Sequence, residues 1–256
     1  MTPPRRQLLI LSAMDNRPPD EPDGRPDHMS RRRLLWLGSA GLAATVAPIA
    51  LPPTTSASPA AHEILCRNAW GAKPPLPGGK PQTPSRMTIH HTAVMLGDNA
   101  NAPARLRQHQ HYHQDTHGWI DIAYHLSVDR HGNIYELRSP NLVGDTATNY
   151  DPTGHFLVVL EGNFDEEEVS EDQLNGAALA FAWAANQFGI PTSTLAGHRD
   201  ASPDTSCPGA SLYEHVTSGD LRSRIDGVLS AGAVDLPTIC GPEAAEIVNE
   251  IEAGLR

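Results

Sequence analysis

The chain has 256 residues, a length that suits one ordinary domain with appendages, and its formal net charge is −11. Residues 1–61 hold seven basic and five acidic side chains, so the rest carries 12 basic against 25 acidic, net −13. Such a body repels nucleic acid and anionic membranes, and no basic stripe for phosphate contacts is present. In chain order, Ser30-Arg31-Arg32-Arg33 precedes an apolar run from Leu34 to Leu51 and a Pro/Ser/Ala-rich exit over 52–61. Positive start, modest apolar core and small-residue exit describe an export signal, with an uncleaved signal anchor as the alternative. Ser-Arg-Arg-Arg-Leu-Leu resembles a twin-arginine signal, so a secreted or cell-envelope protein exported already folded is expected, with no stable membrane span after signal removal. Residues 1–28, with Met29 just before the signal, read either as a leader or as an overlong translation start. Residues 1–61 are therefore set apart, 62–232 are expected to form the main domain, and 233–256 a tail with a short helix.

Arg67-Asn68-Ala69-Trp70-Gly71-Ala72 leads into a Pro/Gly segment (74–84) that reads as loop. Met87 to His91 reads as a short strand, and Ala104 to His117 as a polar helix ending at Gly118. Ile122 to Val128 alternates with period two, as a half-buried strand does. Asp129 to Asn133 is a turn, and Ile134 to Leu137 the return strand of a hairpin. Phe156 to Leu160 is a continuous apolar run, expected to be a central strand buried on both faces. Ser170-Glu171-Asp172-Gln173 is a capping box before a helix through Phe188, stopped by Gly189 and Pro191, with Leu174, Ala178, Phe181 and Ala185 on one stripe. Leu212 to Leu229 reads as one further helix, and the segment after Pro242 as a short amphipathic helix with Ile247, Ile251 and Leu255 four apart. Strands and helices interleave around a hairpin, so the fold class is α/β, a mixed sheet flanked by helices in a single domain.

Chemistry concentrates in two places. Ile89-His90-His91-Thr92 ends an apolar run, and Gly197-His198-Arg199-Asp200 is followed by Thr205-Ser206-Cys207-Pro208-Gly209. Two imidazoles and one thiolate, His90, His198 and Cys207, suit a Zn²⁺ whose fourth position stays open, the mark of a catalytic rather than a structural zinc. The bland reading is three chance buried residues with a free thiol. Cysteines number three. If Cys207 is a metal ligand, Cys66 and Cys240 remain; paired, they would close a loop of roughly 175 residues, worth on the order of 4–5 kcal/mol in the entropic model. Two free buried thiols are the alternative.

The segments 67–72, 89–93, Gly118-Trp119-Ile120-Asp121-Ile122-Ala123-Tyr124-His125, 129–136, Glu161-Gly162-Asn163-Phe164 and 198–209 together resemble the zinc-dependent N-acetylmuramoyl-L-alanine amidases and the peptidoglycan recognition proteins that share their fold. They occur in that family's order and cover about residues 64–215. The resemblance implies zinc ligands His90, His198 and Cys207 and a Tyr124 hydroxyl aimed at the site. It puts Thr205 where members carry Thr or Lys. It also implies hydrolysis of the amide between the lactyl group of N-acetylmuramic acid and L-alanine in peptidoglycan or muramyl peptides. A non-catalytic peptidoglycan-binding protein is the alternative, and an amidase for another N-acylated amino acid or glycolipid amide a third reading.

The sequence departs from the family in four places. The His198–Cys207 interval is one residue longer than usual, within Ala201-Ser202-Pro203-Asp204. Gly144-Asp145-Thr146 replaces a Gly-Ala-His whose His contacts ligand, which makes Thr146 a substrate-side candidate. A glutamate used as base by one branch falls at Val159, with Glu161 two further on. The usual Asn ahead of the central strand is displaced by Pro152-Thr153-Gly154-His155. Around the site, His91 faces away from His90 on a strand and is read as structural. His109, His113 and His117 are read as a solvated face with one ring packed inward rather than a second metal face. Asp200 is a candidate to orient a ligand ring. Trp119 is a candidate to stack on sugar, with core packing as its alternative, and Trp70 is read as core. Glu166-Glu167-Glu168 is read as a solvated turn.

Overall fold

The computed structural model describes residues 62–256; the leader and signal segments lie outside the described residues. Seven strands make one sheet: β1 (Ile64–Leu65), β2 (Arg86–His91), β3 (Leu126–Val128), β4 (Ile134–Glu136), β5 (His155–Leu160), β6 (Ala196–Gly197) and β7 (Thr238–Ile239). Their order is β6-β2-β5-β3-β4-β1-β7. Only β3 and β4 pair antiparallel; the other neighbours run parallel. The β3–β4 turn is held by the Asp129 carboxylate, which accepts from the backbone N–H groups of His131 and Asn133, both at 3.0 Å.

Parallel strands need cover on both faces. Helices α1 (Ala102–His111), α2 (Glu171–Phe188), α3 (His198–Ala201), α4 (Ala210–Thr217), α5 (Asp220–Ser230) and α6 (Pro242–Glu252) supply it. β5 is buried along its whole length, as its unbroken apolar run requires. Phe156, Val158 and Leu160 join Leu174, Ala178 and Phe181 of α2 and Ile225 of α5 in one core. Val159 points the other way, to Trp70, Leu106 of α1, and Ala244, Val248 and Ile251 of α6. Each fully buried Leu, Ile or Phe here stabilises by about 1.5–3 kcal/mol. The Ser170 capping box forms as read: Ser170 Oγ accepts from Gln173 N at 3.1 Å and Gln173 Oε1 from Ser170 N at 3.3 Å.

Three expectations need correction. The strand expected from Ile122 begins at Leu126: the Leu157 N–H of β5 goes to the His125 ring, at Nδ1 2.9 Å away, in place of a ladder carbonyl, and further back the buried Arg138 guanidinium, paired with Asp145, holds the carbonyls of Asp121 and Ile122 at 2.9 and 3.0 Å. The helix expected over Leu212–Leu229 is two, broken where Gly219 takes φ 80°, a left-handed conformation that glycine adopts without a Cβ penalty. In α6 the buried stripe is Ala244, Ile247, Val248 and Ile251; Leu255 lies past the helix end, 79% exposed. The C-terminal segment does not stand apart: β7 extends the sheet beside β1, α6 packs on α1, and Cys66 and Cys240 are joined in a disulfide. Among the described residues no helix is long and apolar enough to cross a membrane.

Candidate metal centre

The site sits at the carboxyl end of the parallel strands, where such sheets place ligands. β2 pairs with β6 in the register Ile89↔Gly197, so the next residue of each chain, His90 and His198, stand side by side. Their ring centroids are 4.6 Å apart. After the single turn of α3 the chain returns through 202–206 and closes by Arg199 N donating to Cys207 O at 2.9 Å. This loop absorbs the extra residue and sets Cys207 Sγ 3.6 Å from His90 Nδ1. One ligand atom from each of His90, His198 and Cys207 lies within 4.8 Å of the others, the one such group of His, Cys, Asp and Glu found among the described residues. Gly209, at φ 87°, lets this loop touch down: a Cβ there would lie 2.5 Å from Phe164 C and 2.9 Å from His91 Nδ1.

The donor set fits a divalent zinc-like cation. All three residues are buried, at 2, 8 and 7% exposure. Burial, and then the neighbouring His198, hold His90 well below the ordinary imidazole range, and burial lowers His198 to about 4. Both rings are therefore neutral, with a lone pair to give. Burial pushes the Cys207 thiol up to about 12, so the protein alone disfavours the thiolate and a cation would restore it. His91 N donates to Cys207 Sγ at 3.4 Å, a partner suited to the thiolate.

The surrounding groups are equally specific. The Tyr124 ring centroid is 5.0 Å from that of His90, and burial raises its phenol, which stays a proton donor. Thr205 Oγ1 accepts from Cys207 N at 3.1 Å, leaving its own proton free. Thr148 Oγ1 lies 2.7 Å from His198 Nε2 and 2.8 Å from Thr146 Oγ1. From Tyr124 a row of rings runs outward: His113 at 6.1 Å, then Trp119 at 4.8 Å from His113, stacked on His117 at 4.3 Å. Two rings of that helix face are half-buried rather than one, His109 and His113, and His113 Nδ1 accepts from Ala123 N at 3.2 Å.

Comparison with known proteins agrees with this geometry. A family model described as N-acetylmuramoyl-L-alanine amidase matches residues 80–210. Peptidoglycan-recognition protein LB of Drosophila melanogaster is 30% identical over 193 residues, 73% of this chain and 82% of that protein. This chain belongs to the N-acetylmuramoyl-L-alanine amidase family. An N-acetylmuramoyl-L-alanine amidase of Sus scrofa is 36% identical over 162 residues; the match takes in 60% of this chain and only 26% of that longer protein. The crystal structure of peptidoglycan recognition protein-LE in complex with tracheal cytotoxin (monomeric diaminopimelic acid-type peptidoglycan) matches with a TM-score of 0.56 and 31% identity, over 60% of this chain and 92% of that one.

Some positions of this amidase-family chain take roles that the sequence did not indicate, and others keep the role read for them. Asp200 does not touch a ligand ring; it accepts from Gly197 N at 2.7 Å and Tyr213 OH at 2.6 Å and so fixes the turn that carries His198. Thr148 takes the ring instead, and no local pattern marks it, because it lies in an irregular loop. Asp145 answers the buried Arg138. His91 is structural, its Nδ1 accepting from Phe164 N at 3.2 Å. Trp70 is core, Nε1 donating to Glu136 O at 2.8 Å.

Val159 pairs with His90 in register, and Glu161 follows just past the end of β5, so it does not take the place of Val159 beside His90. Glu161 binds Ser127 Oγ at 2.9 Å through Oε1, while its buried Oε2 has no partner. Burial pushes its pKa from the ordinary 4.5 up to about 8. A carboxyl raised on folding stabilises fully below about pH 4.5, and that contribution is lost as pH climbs to about 8. Glu161→Gln removes this slope. Urea unfolding of the two proteins should show the variant gaining on wild type between pH 5 and pH 8.5, by on the order of 4 kcal/mol at most; parallel stability curves would refute the buried-acid reading.

Proposed function

We propose that the protein is a zinc-dependent N-acetylmuramoyl-L-alanine amidase that cleaves the lactyl–L-alanine amide of peptidoglycan or muramyl peptides. The observation that carries this is the buried meeting of His90, His198 and the Cys207 thiol beside the Tyr124 ring. Zinc held by those three residues would supply Lewis acidity, polarising the scissile carbonyl and lowering the pKa of water. The Tyr124 hydroxyl donates to the carbonyl oxygen as it gains charge, and Thr205 adds a second donor. Water adds to the carbonyl carbon, the C–N bond breaks, and the departing alanine nitrogen takes up a proton. Trp119, the outer ring of the row, and Thr146 face the substrate. The disulfide supports work in an oxidising compartment outside the cytoplasm, which fits the export signal read in the sequence.

A second reading is a peptidoglycan-binding protein without turnover. Val159 favours it, since an apolar side chain stands where a carboxylate base would. One experiment separates the two. Zinc-quantified protein is incubated with a muramyl peptide and the products are weighed by mass spectrometry. The amidase yields a free lactyl carboxylate and a peptide with a free alanine amine, together heavier than substrate by one water. Binding without those products selects the second reading.

A further inference from the structure

We propose that Thr148 is a positioning residue that fixes the ring of His198 so that Nδ1 is the nitrogen presented to the metal. The inference rests on the reading of His90, His198 and Cys207 as a zinc site and adds to it a residue that neither the sequence motifs nor the family frame marks. His198 opens a four-residue helix and is followed by a loop, so no strand ladder holds its ring. Besides the His90 ring, two contacts do: Tyr150, with ring centroids 5.1 Å apart, and Thr148 Oγ1, 2.7 Å from Nε2. A liganding imidazole usually gives its outer N–H to a fixed acceptor, which selects the tautomer and the ring plane.

The direction of the bonds follows from the proposal itself: a ring that gives Nδ1 to a metal carries its proton on Nε2. Thr146 Oγ1 accepts from Thr148 N at 3.1 Å and lies 2.8 Å from Thr148 Oγ1. With Nε2–H donating to Thr148 Oγ1, the Thr148 proton points to Thr146 Oγ1, so Thr148 Oγ1 both accepts and donates in one chain. The loop that carries both threonines is itself anchored, through Asp145, on the buried guanidinium of Arg138. His90 has no such tether outside the ligand set: its Nε2 is buried without a partner, its Nδ1 meets only Cys207 Sγ, and its backbone is held in the β2 ladder. Apart from the Cys207–His90 contact within the ligand set, Thr148 thus makes the one side-chain hydrogen bond to an imidazole of this cluster among the described residues.

The test is zinc affinity by competition with a chelator, read on full-length wild type and on Thr148→Val, Thr148→Ala and Thr148→Ser. Losing a group that orients a metal ligand typically lowers metal affinity about 10–100-fold. Thr148→Val and Thr148→Ala should each weaken zinc at least tenfold, and the visible absorption of the cobalt-substituted protein should shift and broaden. Thr148→Ser keeps the hydroxyl and should return affinity to within about threefold of wild type, with the wild-type cobalt spectrum. Alanine guards against a steric artefact of valine, and melting of the metal-free proteins reads any loss of fold. Wild-type zinc affinity and an unchanged cobalt spectrum in Thr148→Val and Thr148→Ala would overturn this inference while leaving the zinc reading intact. A wild-type chain that takes up no zinc would overturn both.

Discussion

Cys207→Ser should lose stoichiometric zinc and, with it, turnover. Apparent zinc-binding energies of roughly 10–16 kcal/mol in small sites, shared over three or four ligands, put one thiolate at about 3–4 kcal/mol, or about 10²–10³ in affinity. Serine keeps the volume and can still accept from His91 N, the present partner of Cys207 Sγ at 3.4 Å, so the fold survives the change. It cannot supply a soft anionic sulfur. A second signature distinguishes a liganding thiol from a bystander. Because burial holds the metal-free thiol up near 12 while both imidazoles are already neutral, zinc uptake at pH 7 releases about one proton, and it comes from Cys207. Affinity therefore rises about tenfold per pH unit around neutrality. Calorimetry in buffers of different ionisation heat measures that proton, and it should vanish in Cys207→Ser. A serine variant that holds one zinc per chain with wild-type affinity would remove Cys207 from the site.

What the sequence displays and what it hides differ in physical kind. β5 and α2 are legible because their signals are local: an apolar run of strand length, and a capping box with an apolar stripe behind it. His90 and the 198–209 loop are legible as chemistry, since His, His and Cys in that order suit one metal. Their meeting in space depends on β6, a two-residue strand too short to show any period, whose register alone puts His198 beside His90. Arg138 hides for the opposite reason. It looks like a charged strand end, yet it is 2% exposed, and it holds the carbonyls of Asp121 and Ile122 in the irregular segment that leads into β3. The break at Gly219 hides because a helix tolerates an isolated glycine, so only the backbone shows that this one is left-handed. Thr148 shows least, since a hydroxyl in an irregular loop has no periodicity and its partner lies fifty residues away. The candidate ligands were thus readable, whereas the groups that orient them were not.

Tyr124→Phe divides the two functional readings most sharply. The substitution keeps the ring that packs 5.0 Å from the His90 ring and removes only the hydroxyl, so zinc content and melting should match wild type. Removing one donor to a developing oxyanion typically costs about 10²–10³ in turnover, about 2.7–4 kcal/mol. The loss should fall on kcat with KM nearly constant, because a hydrogen bond that tightens only as the carbonyl oxygen gains charge adds little to substrate binding. Thr205→Val should cost less, since Thr205 Oγ1 already serves Cys207 N and its proton is a secondary donor. With no carboxylate beside His90, where Val159 stands, Tyr124 carries more of the polar work than in a site with a base. Its deletion should therefore lie at the upper end of that range. Single-turnover kinetics on a muramyl peptide measures this directly. A Tyr124→Phe protein within a factor of ten of wild type would place the oxyanion donor elsewhere, and a wild type that binds the same peptide without product would make the hydroxyl a recognition group instead.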